Sequence, residues 1–174
     1  MSIHRYHETA LPMPEAFSPL TLRPLVLADA AAHRAFLLGL NEQDRRFRRF
    51  GLAQGADRAG GANPVPAGLS ILATRPAGED GNQVLGELRL RLDAAHLVAE
   101  FALAVRSDLQ GRGLGRLLMR RLLDDCRARG VALVRGAALG RNARMHRLAR
   151  AHGFQLLRAA DDTVELLLLL RGVA

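Results

Sequence analysis

Residues 99–115 bring an acidic side chain, a short turn and three alternating glycines into one stretch: Ala99-Glu100-Phe101-Ala102-Leu103-Ala104-Val105-Arg106-Ser107-Asp108-Leu109-Gln110-Gly111-Arg112-Gly113-Leu114-Gly115. A strand is expected to end near Val105, and an amphipathic helix opens at Gly113. The first N–H groups of a helix have no intrahelical partner and carry a positive partial charge, so such a start can hold phosphate. Gly111, Gly113 and Gly115 let the backbone approach a ligand because no Cβ intrudes. Arg112 and Arg116 add positive charge. A lysine-dependent phosphate loop is excluded, because the chain has no lysine, and the dinucleotide fingerprint would need glycine where Arg116 stands. The glycines alone also fit a tight strand-to-helix turn that merely packs.

Glu100 is the second candidate. With a period of two, Leu97, Ala99, Phe101, Leu103 and Val105 share one face and are expected to pack under helices. Val98, Glu100, Ala102 and Ala104 share the other. Glu100 is then a lone carboxylate among small residues on a face open to a substrate, where it can take a proton. It can equally be a surface carboxylate paired with Arg89 or Arg91.

The elements around these residues follow from periodicity and punctuation. Residues 1–19 read as an irregular arm and 20–174 as a single domain. Leu20–Val26 alternates like an edge strand. Asp29 is placed to cap a helix running to about Leu40, and Asn41 to cap a second, Glu42 to about Phe50. The arginines of that second helix, Arg45, Arg46, Arg48 and Arg49, read as a solvated face. Residues 51–68, rich in Gly, Ala and Pro, read as a loop. Leu69–Thr74 and Val84–Leu92 form an antiparallel pair across a turn with Gly78, Asp80 and Gly81, and Leu97–Val105 is a third strand. The helix Gly113–Arg129 carries a stripe of Leu114, Leu117, Leu118, Leu122 and Cys126, with Gly130 as its stop. Val131–Ala137 is a strand, Asn142–His152 a helix, Phe154–Leu157 a short strand, and Val164–Leu170 the last strand. The class is α+β, with a mixed sheet at its centre.

Gln110-Gly111-Arg112-Gly113-Leu114-Gly115 resembles the Gln/Arg-x-x-Gly-x-Gly signature of the GNAT N-acetyltransferase family. Asn142-Ala143-Arg144-Met145-His146-Arg147-Leu148-Ala149-Arg150-Ala151-His152-Gly153-Phe154 is similar to its second signature, an Asn-led helix ending in Gly-Phe. The architecture matches over about Leu20 to Leu170, and sharply from Ala99 to Phe154. The resemblance implies a GNAT-like, mostly antiparallel central sheet flanked by about four helices. It implies that Gln110, Gly111, Arg112, Gly113, Leu114, Gly115 and Arg116 hold the pyrophosphate of acetyl-coenzyme A (acetyl-CoA). Leu103, Ala104 and Val105 would offer their backbone to the pantetheine arm, and Asn142 would contact the cofactor. Ala99-Glu100-Phe101-Ala102 and Leu148-Ala149-Arg150, with Leu22-Arg23-Pro24 and Asp44 to Phe50, are similar to the acetyltransferase domain of bacterial Pat-type protein lysine acetyltransferases. That narrower likeness implies Glu100 as base and a protein lysine as acceptor. Residues 51–68 depart from that group, and the chain lacks its acyl-CoA-synthetase-like region and its cyclic-nucleotide domain. Ala149 holds the place where many relatives carry a tyrosine as general acid.

The remaining composition narrows the alternatives. The 174 residues carry a formal charge of +8 and are 49% hydrophobic, enough for one core without disulfides or metals. One cysteine, Cys126, cannot form an internal bridge, and its place on the apolar stripe makes it a packing residue. The six histidines lack zinc-ligand spacing, so no metal is expected. Six Phe, one Tyr and no Trp leave little for base stacking, which argues against nucleic acid. No signal peptide or membrane-spanning run is visible, and a cytoplasmic protein is expected. Monomer and homodimer stay open. The competing functions are acetylation of a small amine or a protein N-terminus, a non-catalytic acyl-CoA sensor, and a nucleic-acid module using its arginines.

Overall fold

The computed structural model describes residue 17 and residues 19–50, 69–78, 81–159 and 162–170. The loop expected at 51–68 and most of the expected arm lie outside the described residues. Phe17, within that arm segment, is buried in the main core.

Among the described residues seven strands form one sheet: β1 (Thr21–Pro24), β2 (Leu69–Pro76), β3 (Asn82–Leu92), β4 (Val98–Val105), β5 (Leu133–Leu139), β6 (Gln155–Arg158) and β7 (Thr163–Leu169). Their order is β1-β2-β3-β4-β5-β7-β6. Every neighbouring pair is antiparallel except β4–β5, which is parallel. A parallel pair needs a crossover, here supplied by helix α3 (Leu114–Ala128). The other helices are α1 (Ala30–Gly39), α2 (Glu42–Phe50) and α4 (Ala143–Ala151). This is the expected α+β sheet with four helices.

Both faces of the sheet are covered. The stripe of α3, Leu114, Leu117, Leu118, Leu122 and Cys126, is buried against Leu85, Leu88, Phe101 and Val105. Each leucine so buried contributes about 1.5–3 kcal/mol. On the opposite face Phe36 and Leu40 pack with Leu72, Val84 and Ala104 in a second, smaller core.

Several expectations shift for physical reasons. Asp29 does not cap α1: its carboxylate accepts from the Val26 N–H at 3.0 Å and from Arg23 at 2.5 and 2.6 Å, fixing the preceding turn. Asn41 does cap α2, its Oδ1 accepting from the Asp44 N–H at 2.7 Å. β5 begins at Leu133, two residues late, because the Val131 N–H closes α3 onto Cys126 and the Ala132 and Leu133 N–H groups reach Leu97. Leu97 lies outside β4 and is 52% exposed. Ala102 and Ala104, expected on an open face, are buried. On that face of β4 only Val98 and Glu100 are half-exposed.

Candidate active site

The parallel β4–β5 ladder is short. Its register is Val98↔Leu133, Ala99↔Val134 and Glu100↔Arg135, and there it stops. Beyond it β4 stays paired with β3 up to Val105, and β5 stays paired with β7 up to Leu139. The two central strands therefore part, and the β5-facing edge of Phe101–Val105 has no strand partner among the described residues. Gly136 sits just past the parting. A Cβ there would fall 2.6 Å from Cε1 of Phe101, so the ring occupies space that any other residue would need. Phe101 is held in turn by Phe154, with ring centroids 5.5 Å apart.

The gap between the strands is a narrow cleft. Phe101, Ala102 and Leu103 line it from β4, and Ala137 and Leu166 from β5 and β7. Asn142 and Met145 line it from the start of α4, and Phe47 of α2 covers it. The open edge of β4 then runs into the glycine loop. Gly111 and Gly113 have φ of +79° and +95°, and a Cβ on Gly111 would meet nothing within 4 Å. These are left-handed conformations that favour glycine. They aim the chain into α3, whose N-terminal cap, Gly113, offers no side-chain hydrogen bond to the first amides. Arg112 and Arg116 are exposed on either side. Gly115 differs: its Cα faces Leu148 of α4, where a Cβ would make an ordinary contact.

Side chains fasten this loop to the neighbouring helices. Asp44 of α2 accepts from the Ser107 hydroxyl at 2.5 Å and from Nε2 of Gln110 at 2.9 Å. Gln110 Nε2 also donates to the Val105 carbonyl at 3.2 Å, and Gln110 Oε1 accepts from Arg144 of α4. The Gln110 amide is thus consumed by protein partners and shapes the loop. Asn142 Oδ1 caps α4 through the Met145 N–H at 3.2 Å.

Glu100 stands where the strands part. Its carboxylate accepts from Arg91 on β3 and Arg135 on β5. The Arg91 partnership is one of the alternatives visible from strand position; Arg135 is not. Burial pushes the Glu100 carboxyl up, but hydrogen bonds and charge from Arg91 and Arg135 outweigh it and hold the group below its usual range. Glu100 is therefore ionised at neutral pH.

A second buried carboxylate escaped sequence reasoning. Glu87 of β3 is fully buried, accepting from His33 Nε2–H at 3.1 Å and from Arg48 Nε at 2.8 Å. Arg48 is therefore no part of a solvated face; it ties α2 to the sheet. The hydrophobic alternation of β3 hid Glu87, since a carboxylate in a strand reads as surface. Ala149 is fully buried, and its methyl group has no proton to donate. Cys126 is also buried, and burial raises its thiol pKa to about 12, leaving it inert. Among the described residues there is no cluster of metal-ligating side chains and no helix long and apolar enough to cross a membrane. A cavity of about 390 Å³ lies away from the parting strands, beside His146, Arg150 and Arg158.

The parallel pair thus separates above a glycine-led helix start. The acetyltransferase (GNAT) family profile matches residues 60–154. The chain belongs to the GNAT acetyltransferase family, whose members are acetyl-CoA-dependent N-acetyltransferases. The fold is similar to that of the GNAT domain of S. lividans PAT, with TM-score 0.67 and 20% identity over 87% of this chain and 90% of that one. It is similar to spermidine N-acetyltransferase from Vibrio cholerae in complex with CoA and spermine, with TM-score 0.64 and 19% identity over 87% and 96%. It also resembles the ribosomal-protein-S18-alanine N-acetyltransferase from Escherichia coli, with TM-score 0.60 and 21% identity over 89% and 96%. The acceptors named for the last two, a polyamine and a ribosomal-protein alanine, differ in kind.

Proposed function

We propose that the chain transfers an acetyl group from acetyl-CoA to the side-chain amine of a protein lysine. One observation carries the reading: the β4–β5 ladder ends at Glu100 and Arg135, and the open edge of β4 leads straight into the loop Gly111–Gly115. The donor set fits the ligand. The unpaired β4 edge can accept an amide-bearing arm as an added strand, through Leu103, Ala104 and Val105. The first amides of α3, from Leu114 onward, with Arg112 and Arg116, suit a pyrophosphate. Asn142 lines the same cleft while its Oδ1 caps α4.

Bound acetyl-CoA supplies an activated acyl carbon. The chain's own task is to present an amine to it. A lysine ammonium near pKa 10.4 must first lose its proton, at a cost of roughly 4–5 kcal/mol at neutral pH. Glu100 is the candidate base. Arg91 and Arg135 keep it ionised, so it has a free charge to accept a proton, but the same pairing makes it a weaker base than one whose pKa is matched to neutral pH. The likeness to the Pat-type domain supports protein lysine as acceptor.

The experiment is a transfer assay with acetyl-CoA and a panel of lysine proteins, N-terminal peptides and small amines, read by mass spectrometry. Acetylated lysine in the protein pool supports the reading. Modification of small amines or N-termini alone moves the acceptor class, and cofactor binding without any transfer identifies a sensor.

A further inference from the structure

We infer that Glu165 on β7 recruits the acceptor's ammonium group and makes the site selective for cationic alkylamines. The inference rests on the acetyl-transfer reading and names the group that would choose its substrate.

Glu165 lies in register with Ala137 of β5 on one side and Leu157 of β6 on the other. Side chains of antiparallel partners point to the same face, with Cα atoms about 4.5–5.5 Å apart. Ala137 lines the cleft between the parted strands. The Glu165 side chain therefore projects one strand away from that cleft. It does so on the face that carries Arg135, since Arg135 and Ala137 are two residues apart on β5. Its neighbours Val164 and Leu166 are buried on the opposite face, while Glu165 itself is exposed.

The other carboxylates around the cleft are already engaged. Glu100 is held by Arg91 and Arg135, Glu87 by His33 and Arg48, and Asp44 by Ser107 and Gln110. Glu165 makes no hydrogen bond or ion pair with a described residue, so its charge is available to a ligand. An acceptor ammonium approaching the cleft otherwise meets the exposed Arg135, which repels it. Glu165 is the countercharge on that side. The same face carries apolar surface beside it: Leu157, 47% exposed, and Leu169, 77% exposed, with half-buried Leu167 between Glu165 and Leu169. A carboxylate beside an apolar strip matches an ammonium on a chain of methylenes, the chemistry of a lysine side chain. It mismatches an α-amino acid, whose own carboxylate would face Glu165.

The test combines steady-state transfer kinetics with calorimetric binding of a lysine peptide to the protein saturated with CoA, for wild type, Glu165→Gln and Glu165→Asp. Glu165→Gln should raise both KM and Kd for the peptide about tenfold and leave kcat within about twofold, because a charged hydrogen bond is lost from binding alone. Glu165→Asp should restore most of the affinity. Raising the salt concentration should weaken peptide binding in wild type and have little effect on Glu165→Gln. Unchanged KM and Kd in Glu165→Gln overturn the inference, as does a loss confined to kcat, or a wild type that binds no lysine peptide. If the Kd responds as stated but no acetyl group is transferred, recruitment stands and the transfer reading falls. If transfer proceeds with an unaltered KM, the transfer reading stands and Glu165 is a surface residue.

Discussion

Acid should loosen this fold through Glu87. Burial alone would raise its carboxyl pKa, yet the hydrogen bond from His33 and the charge and hydrogen bond of Arg48 bring it from 4.5 to about 2. In the unfolded chain these partners are gone and the group returns to its ordinary value. A depressed acid stabilises the fold above its unfolded pKa and loses that contribution as pH falls through the folded one. A difference of roughly two and a half units corresponds to about 3 kcal/mol, present at neutral pH and lost between about pH 4.5 and pH 2. Glu87→Gln removes the charge and keeps the shape, leaving Arg48 and His33 without their anion. At pH 7 it should cost about 3–5 kcal/mol, the usual effect of breaking a buried pair. Urea unfolding followed by circular dichroism at pH 7, 5 and 3 measures the gap between wild type and variant. The gap should be full at pH 7 and 5 and narrow at pH 3, because wild-type Glu87 is then losing its charge advantage. A gap that is constant across this range, or absent at pH 7, refutes the assignment of Glu87 as the charged anchor of α1 and α2.

Other outcomes follow from the same geometry. Glu100→Gln should slow transfer by roughly 10²–10⁴-fold with little change in acetyl-CoA affinity, if Glu100 takes the amine proton. Its carboxyl is held below the usual range, so the wild-type rate should show no limb from Glu100 near neutral pH, and wild-type turnover in the variant contradicts its role as base. Gly136→Ala forces a Cβ against Phe101 and should cost about 1–3 kcal/mol in urea unfolding, as overpacking does; an unchanged midpoint contradicts the wedge at the parting strands. Because the chain has no lysine, intact mass after incubation with acetyl-CoA should show at most minor addition, and multiple acetylation would contradict an amine-directed chemistry.

What the sequence revealed followed local rules, and what it hid depended on register. The α3 stripe was legible because a 3.6-residue period survives in any context, and the glycine loop before it because glycines without a Cβ punctuate the chain, while the positive φ of Gly111 and Gly113 came only with the backbone. Asn41 was legible as a cap because capping is local. Arg48 was misread as solvated because only tertiary packing sets it beside Glu87, 39 residues away. Arg135 could not be assigned to Glu100, because the β4–β5 register rests on where α3 ends and β5 begins, and the expected start of β5 was two residues early. Glu165 was hidden in a leucine-rich strand, and it acquires meaning only through its pairing with Ala137.

The central claim is that the loop at the start of α3 and the open edge of β4 together hold acetyl-CoA. Isothermal titration of acetyl-CoA into wild type and Gly113→Glu tests it most directly, with circular dichroism confirming that both are folded. A glutamate at position 113 sets a side chain and a negative charge where the pyrophosphate must approach the helix amides. Micromolar binding in wild type, weakened at least about tenfold in the variant, is the predicted result. A folded variant that binds acetyl-CoA as tightly as wild type would contradict it.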